Sequence, residues 1–347
     1  MTKKYDALDL TKFIASIFIV ALHSSALYDI NPLLNTIINE GIARLGVPFF
    51  FLCTSFFLYS KNRTYENTIK YVRRMLVLYL AWFVVYLPKT IFDRIICSSQ
   101  PIGMTIILFI RSFFVTSTFS GSWFIVSCIF CALFYYHVQK LPRNTGKVVT
   151  YSACIITYLF AVLCSAYGQL LKPLGLYSFY TIYKYVFSNP FSNIFVGLPY
   201  FGLGLYFANC KNIEESEKKQ TVPTKLVCGA ISLVALLAEV YYTNTYSIVY
   251  ATDCYFFLLP CVYFLFSILI DIQLSIPCAK QLRVCSTIIF FSQFYWLFIL
   301  EIVEWLFKIT ITCGWKFVYA MAGCFITYGI FMGLKKCKRL SWLKLFY

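Results

Sequence analysis

Lys12 and His23 bracket an otherwise apolar run, KFIASIFIVALH. In a helix, eleven steps of about 1.5 Å set them roughly 16 Å apart. If that helix enters a hydrocarbon core about 30 Å thick from the side of Lys3 and Lys4, His23 lies past the midplane. An ionisable ring at that depth carries a cost and therefore points to a function. A neutral imidazole suits a general base acting on a hydroxyl, or a transient acyl carrier. Arg44, Glu239, Asp253, Glu301 and Glu304 fall within roughly 10 Å of the same membrane boundary, on later apolar runs. Arg44 with Glu239 or Glu301 could orient the ring or hold a substrate. Other readings stay open. Glu40 and Arg44 are four residues apart and could simply pair. Glu304 could be solvated at the interface, and His23 could be satisfied by a hydrogen bond across a helix. His137, beside Tyr135 and Tyr136, reads as a boundary residue.

A second polar layer lies at the opposite boundary. Asp9 and Lys12 open the first run, while Lys70, Arg73 and Arg74 open the third. Lys70 shares a helical face with Arg73 and Arg74. Such a cluster suits the phosphates of a nucleotide or coenzyme, which guanidinium binds bidentately. The plainer account is the general excess of cations in cytoplasmic segments.

The elements that must position these residues are membrane helices. The chain of 347 residues is 60% hydrophobic and only 13% charged, where a soluble domain carries about 25%. The net charge of +16 sits in short segments between apolar runs, a topology signal that excludes a nucleic-acid footprint. Most of the 15 cysteines fall inside those runs, where cysteine behaves as a small hydrophobe. Cys128 and Cys131 form one CxxC without a second pair, and with two histidines in the chain no metal site is expected. The first run has no convincing cleavage site and reads as an uncleaved first span.

Runs long enough to cross appear at about 9–28, 38–59, 72–95, 121–138, 147–167, 191–209, 224–243, 249–271, 284–306 and 314–334. They predict an all-α, polytopic bundle of about ten transmembrane helices in a single domain, 1–347. The stretches 104–115 and 174–187 could be interfacial, re-entrant or crossing. With both termini cytoplasmic, 22 cations fall inside and 7 outside, and Arg44 lies within the second span. That asymmetry supports the arrangement.

The same residues carry a resemblance. DLTKFIASIFIVALH (9–23), RLGVPFFFLCTSFFL (44–58), KYVRR (70–74), SWFIV (122–126), FVGLPYFGLGLYF (195–207) and RVCSTIIFFSQ (283–293) are similar, in order and spacing, to the motifs of the acyltransferase 3 family of membrane proteins. The sequence departs from the pattern at Thr54-Ser55, where the family has Ser-Gly, at Gln293, where a histidine is common, and at Lys12 and Lys70, which stand for arginine. The stretches 286–291 and 259–269 resemble the membrane half of vancomycin-resistance serine racemases, regarded as a serine transporter. No racemase half follows in this sequence.

The resemblance implies an O-acyltransferase of the bacterial cytoplasmic membrane. It would move an acyl group, usually acetyl from cytoplasmic acyl-CoA, to a hydroxyl of an envelope glycan or lipid-linked acceptor. It makes His23 the catalytic histidine and assigns Lys12, Lys70, Arg73 and Arg74 to the coenzyme phosphates. Arg44 with Glu239 or Glu301 is then the expected substrate-binding set. The runner-up is a transporter of a small amino acid such as serine, with carboxylate on Arg44 and ammonium on Glu239 or Glu301. A non-catalytic membrane subunit is the third reading.

Overall fold

Inside a bilayer only a helix or a closed barrel satisfies every backbone N–H, and long apolar runs without strict alternation select the helix. The computed structural model describes residues 5–60, 63–93, 101–212, 221–335 and 338–347, and all regular structure among them is helical. The helices are α1 (Asp6–Ser24), α2 (Pro32–Tyr59), α3 (Tyr65–Ile91), α4 (Ile102–Phe114), α5 (Ser122–Val138), α6 (Arg143–Cys164), α7 (Tyr177–Phe187), α8 (Leu198–Asn212), α9 (Val222–Thr245), α10 (Leu258–Leu269), α11 (Ala279–Phe307) and α12 (Cys313–Leu334). A 3-10 segment, Lys338–Phe346, follows and buries Leu343 and Phe346. Of the loop cations counted above, Lys3, Lys4, Lys61, Arg94, Lys218, Lys219 and Lys336 lie outside the described residues.

Seven helices, α1, α2, α3, α6, α9, α11 and α12, are long and apolar enough to cross a membrane. The protein is a multi-pass membrane protein. Each of the ten predicted runs contains one helix. The two ambiguous stretches are helical as well, as α4 and α7. At about 20 and 17 Å these are shorter than the hydrocarbon core. They meet where the Arg111 guanidinium donates to the carbonyl of Tyr185.

Two predicted spans differ from expectation in a way that matters for function. The run 249–271 is helical only from Leu258, and the run 191–209 only from Leu198. Their first parts are irregular backbone. Such backbone survives at membrane depth only where protein satisfies its polar groups. Asp253 is therefore on a non-helical segment, not on a helix as the periodicity suggests.

The core is aromatic. Phe49, Phe51 and Phe56 of α2 are buried together with Tyr200 and Phe201 of α8. Gly204 permits this packing: a Cβ there would come 2.5 Å from the Leu52 carbonyl oxygen and 2.9 Å from the Phe56 nitrogen. Ser55, one of the residues departing from the family pattern, donates to the Phe201 carbonyl at 2.6 Å and ties the same two helices. Gly204→Ala is expected to cost about 1–3 kcal/mol, because backbone must move to relieve the contact. Gly329→Ala, with nothing within 4 Å of its Cβ, serves as the control in a melting experiment in detergent.

Ion pairs fasten other neighbours. Asp9, 1% exposed, accepts from Arg283 Nε at 2.9 Å and Nη2 at 2.5 Å, joining α1 to α11. Lys225 donates to Asp271 at 2.6 Å and joins the start of α9 to the end of α10.

Candidate active site

α1 ends one residue past His23. Ser25 takes a left-handed conformation (φ 53°), and the Ala26 N–H closes back on the Ala21 carbonyl at 3.0 Å. This C-terminal cap releases the chain and leaves the imidazole at the rim of a cavity. The ring packs on Phe294, with centroids 4.5 Å apart. It accepts and donates no hydrogen bond among the described residues and is exposed to the cavity.

The cavity, about 390 Å³, lies among the last turn of α1, the middle of α2, the start of α5 and the two irregular segments before α8 and α10. That is the lower part of the range for small-molecule sites. Arg44 and Asp253 face it together with His23. Gly121, at φ 86°, starts α5 against it, and a Cβ there would come 3.2 Å from Phe294, the ring that supports His23.

Arg44 sits where α2 changes its winding, in a 3-10 turn (Ala43–Leu45) that follows a π segment (Thr36–Ile42). Such irregular turns recur at functional sites because they re-aim a side chain. Its Nε and Nη2 donate to Glu40 Oε2 at 3.2 and 2.8 Å. Nη2 also donates to Thr252 Oγ1, and Nη1 to Asp253 Oδ1, both at 2.7 Å. Among the described residues, four of the five guanidinium N–H groups are thus taken, and one on Nη1 is not. Asp253 Oδ2 accepts nothing among the described residues, so a carboxylate oxygen and an N–H are available beside the imidazole.

Ser165, just past α6, holds the segment that carries Asp253. Its carbonyl accepts from Tyr250 N and Ala251 N at 3.1 and 3.2 Å. Its hydroxyl donates to the Ala251 carbonyl at 2.7 Å and accepts from Asp253 N and Cys254 N, each at 3.0 Å. Tyr158 donates to the Tyr255 carbonyl at 2.6 Å and accepts from Leu259 N at 3.0 Å. Four amides of the unwound stretch, those of Tyr250, Ala251, Asp253 and Cys254, find protein acceptors in this way.

The sequence profile described as "Acyltransferase domain" matches residues 5–332. The chain belongs to the acyltransferase 3 family. Curated relatives include an "Amino-acid racemase" of Enterococcus faecalis, 28% identical over 163 residues (45% of this chain and 22% of the relative). A second "Amino-acid racemase" from that organism is 24% identical over 217 residues (61% and 29%). A "Serine/alanine racemase" of Enterococcus gallinarum is 23% identical over 273 residues (77% and 37%). The chain thus spans between about a fifth and two fifths of these relatives' own lengths. No solved structure matches.

Within this acyltransferase-family chain the structure separates the sequence-predicted residues. His23 and Arg44 come together at one cavity, with Asp253 as the carboxylate beside them. Glu239 and Glu301 are not among the residues lining it. The Glu239 carboxylate, 7% exposed, accepts from Tyr167 OH at 3.0 Å, Phe256 N at 2.8 Å and Phe257 N at 3.0 Å. Glu301 is exposed and forms its one ion pair among the described residues with Lys89, at 4.0 Å. Glu304 accepts from Lys316 at 2.9 Å and from Ile311 N at 2.8 Å, so it is tied to α12. The Glu40–Arg44 pair is formed, and Asp253 extends it into a three-charge cluster.

At the other end of the bundle Lys12 is half-buried, with Nζ 5.0 Å from the centre of the Phe57 ring in the last turn of α2. Lys70, Arg73 and Arg74 are exposed on α3 and make no ion pair among the described residues. Tyr71 and Val72 beside them pack against the same hydrophobic cluster as Phe57. Asp9, which shares the opening of α1 with Lys12, pairs with Arg283 and with none of these cations.

Sequence reasoning placed Asp253 in the right layer but not opposite Arg44, because 208 residues of chain separate Thr252 from its guanidinium partner. It missed Ser165 altogether. A serine directly after a run of apolar helix carries no signal until the chain that returns to it is known.

Proposed function

We propose that the protein is an integral membrane O-acyltransferase that uses acyl-CoA, with acetyl the expected group, and modifies a hydroxyl on an extracytoplasmic glycan or related acceptor. The observation that carries the reading is an imidazole that lines a cavity without a hydrogen-bond partner among the described residues, beside an Arg44–Asp253 pair with one donor and one acceptor unused among those residues. Membership of the acyltransferase family supports the reaction type.

In this reading the Lys12 end of the bundle faces the cytoplasm of a bacterial cell, and Lys12, Lys70, Arg73 and Arg74 hold the phosphates of the coenzyme. The acyl thioester reaches along α1 over about 16 Å to the His23 ring. His23 takes the proton of the acceptor hydroxyl as its oxygen attacks the thioester carbonyl. The C–S bond breaks, an ester forms, and the departing thiolate recovers the proton from His23. The unused Arg44 N–H and Asp253 Oδ2 orient the acceptor.

The test uses labelled acetyl-CoA and membranes containing the protein. Arg73→Ala combined with Arg74→Ala is expected to raise KM for acetyl-CoA roughly three- to tenfold with kcat unchanged, the size expected for exposed charge contacts. An unchanged KM would remove the cations from the reading.

One observation favours a second reading. A guanidinium N–H and a carboxylate oxygen, both available in a cavity of this size, also match the carboxylate and ammonium of a small amino acid, and the relatives' names include serine and alanine. In a transporter, uptake of labelled serine would survive the Arg73→Ala, Arg74→Ala change and be lost in Asp253→Asn.

A further inference from the structure

We infer that Glu239 is a positioning residue for the cavity, acting through the unwound segment that carries Asp253. The inference rests on the proposed role of that cavity for its effect on catalysis, but not for its structural effect.

Glu239 lies on α9, and its carboxylate does not touch the cavity. It lies instead at the start of α10, where Phe256 N and Phe257 N have no helical partner. The first amides of any helix lack such partners, and the positive end of the helix dipole favours an anion there. Side chains within the first turn usually supply this cap. In α10 the residue before the helix is Phe257, which has no acceptor, so a neighbouring helix supplies one. Tyr167 OH holds the second side of Oε1.

The segment between the two anchors is short. Ser165 fixes the amides of Tyr250, Ala251, Asp253 and Cys254, Glu239 fixes those of Phe256 and Phe257, and Tyr158 holds the carbonyl of Tyr255 between them. Thr252 and Asp253 project from this stretch to Arg44. Without Glu239, the downstream anchor is lost at the point where the chain re-enters helix. A buried polar carboxylate inside the membrane is thereby explained without a substrate contact.

The experiment is hydrogen exchange followed by mass spectrometry on full-length protein in lipid nanodiscs, together with acetyl transfer from labelled acetyl-CoA. In Glu239→Ala, amides in 253–257 are expected to exchange about tenfold faster, the equivalent of one lost hydrogen bond, while α1, α2 and α8 keep their protection. Glu239→Gln keeps one acceptor oxygen and is expected to fall between. In the transfer assay kcat falls and KM for acetyl-CoA is unchanged, because the coenzyme cations lie at the far end of α1. If Glu239→Ala does not accumulate, Glu239→Asp, one methylene shorter, is read in the same way. Unchanged exchange of 253–257 overturns the inference. Faster exchange with full activity keeps the anchor but overturns its catalytic role, and an inactive wild type bears on the proposed function alone.

Discussion

If His23 is the proposed base, His23→Ala is expected to lower acyl transfer by about 10²–10⁴-fold, the usual contribution of a positioned acid–base group, while leaving the fold intact. The expectation of an intact fold follows from the ring's surroundings. His23 makes no hydrogen bond among the described residues, and its contact with Phe294 is the one ring pairing it forms there. Removing it leaves no orphaned donor or acceptor, so the melting temperature in detergent should stay near that of the wild type. Label appearing in product from acetyl-CoA, compared at equal protein, measures the effect. A variant that retains more than about a tenth of the wild-type rate excludes His23 as the base.

Arg44→Ala has the opposite profile, with a large loss of stability as well as of activity. Among the described residues Arg44 is the guanidinium that holds Glu40 Oε2, Thr252 and Asp253 Oδ1, and its removal leaves two carboxylates together in a half-buried site. Breaking one partner of a fully buried ion pair costs about 3–5 kcal/mol, and a smaller loss is expected here, where the Glu40 and Asp253 side chains are 24% and 35% exposed. Asp253→Asn added to Arg44→Ala removes one of the stranded charges. The double variant is therefore expected to melt above the single one, a positive coupling of the kind that double-mutant cycles detect. Both variants should remain inactive. If the double variant regained activity, the cluster would be structural and no part of the chemistry.

The fold was legible because the physics that selects it is local. Runs such as 72–95 and 284–306 can satisfy their backbone in lipid only as helices, and the structure forms α3 and α11 there. Hydropathy could not show where a helix stops early inside the membrane. The run 249–271 is apolar throughout its second half, yet its first part is unwound, and the reason lies in Tyr158 on α6, Ser165 just past it and Glu239 on α9. Glu239 illustrates the same limit. Its depth and charge were legible, but the sequence could not tell a substrate ligand from a cap on a neighbouring helix. Glu301 looked equivalent by depth and proves to be exposed near Lys89. His23 and Arg44 were found together because both lie within the first two spans, which α1–α2 packing brings side by side near Gly46 and Ile19.

Binding and transfer measured on one sample of His23→Ala test the account most directly. Purified protein in nanodiscs is titrated with acetyl-CoA by calorimetry, and the same preparation is assayed for release of coenzyme A and label transfer. On the proposed reading, the expected result is a Kd equal to that of the wild type with transfer lowered by about 10²-fold or more, since the coenzyme would be held at the Lys12 end and chemistry would occur at the other. Transfer at the wild-type rate, or loss of acetyl-CoA binding in a protein that melts normally, would contradict it.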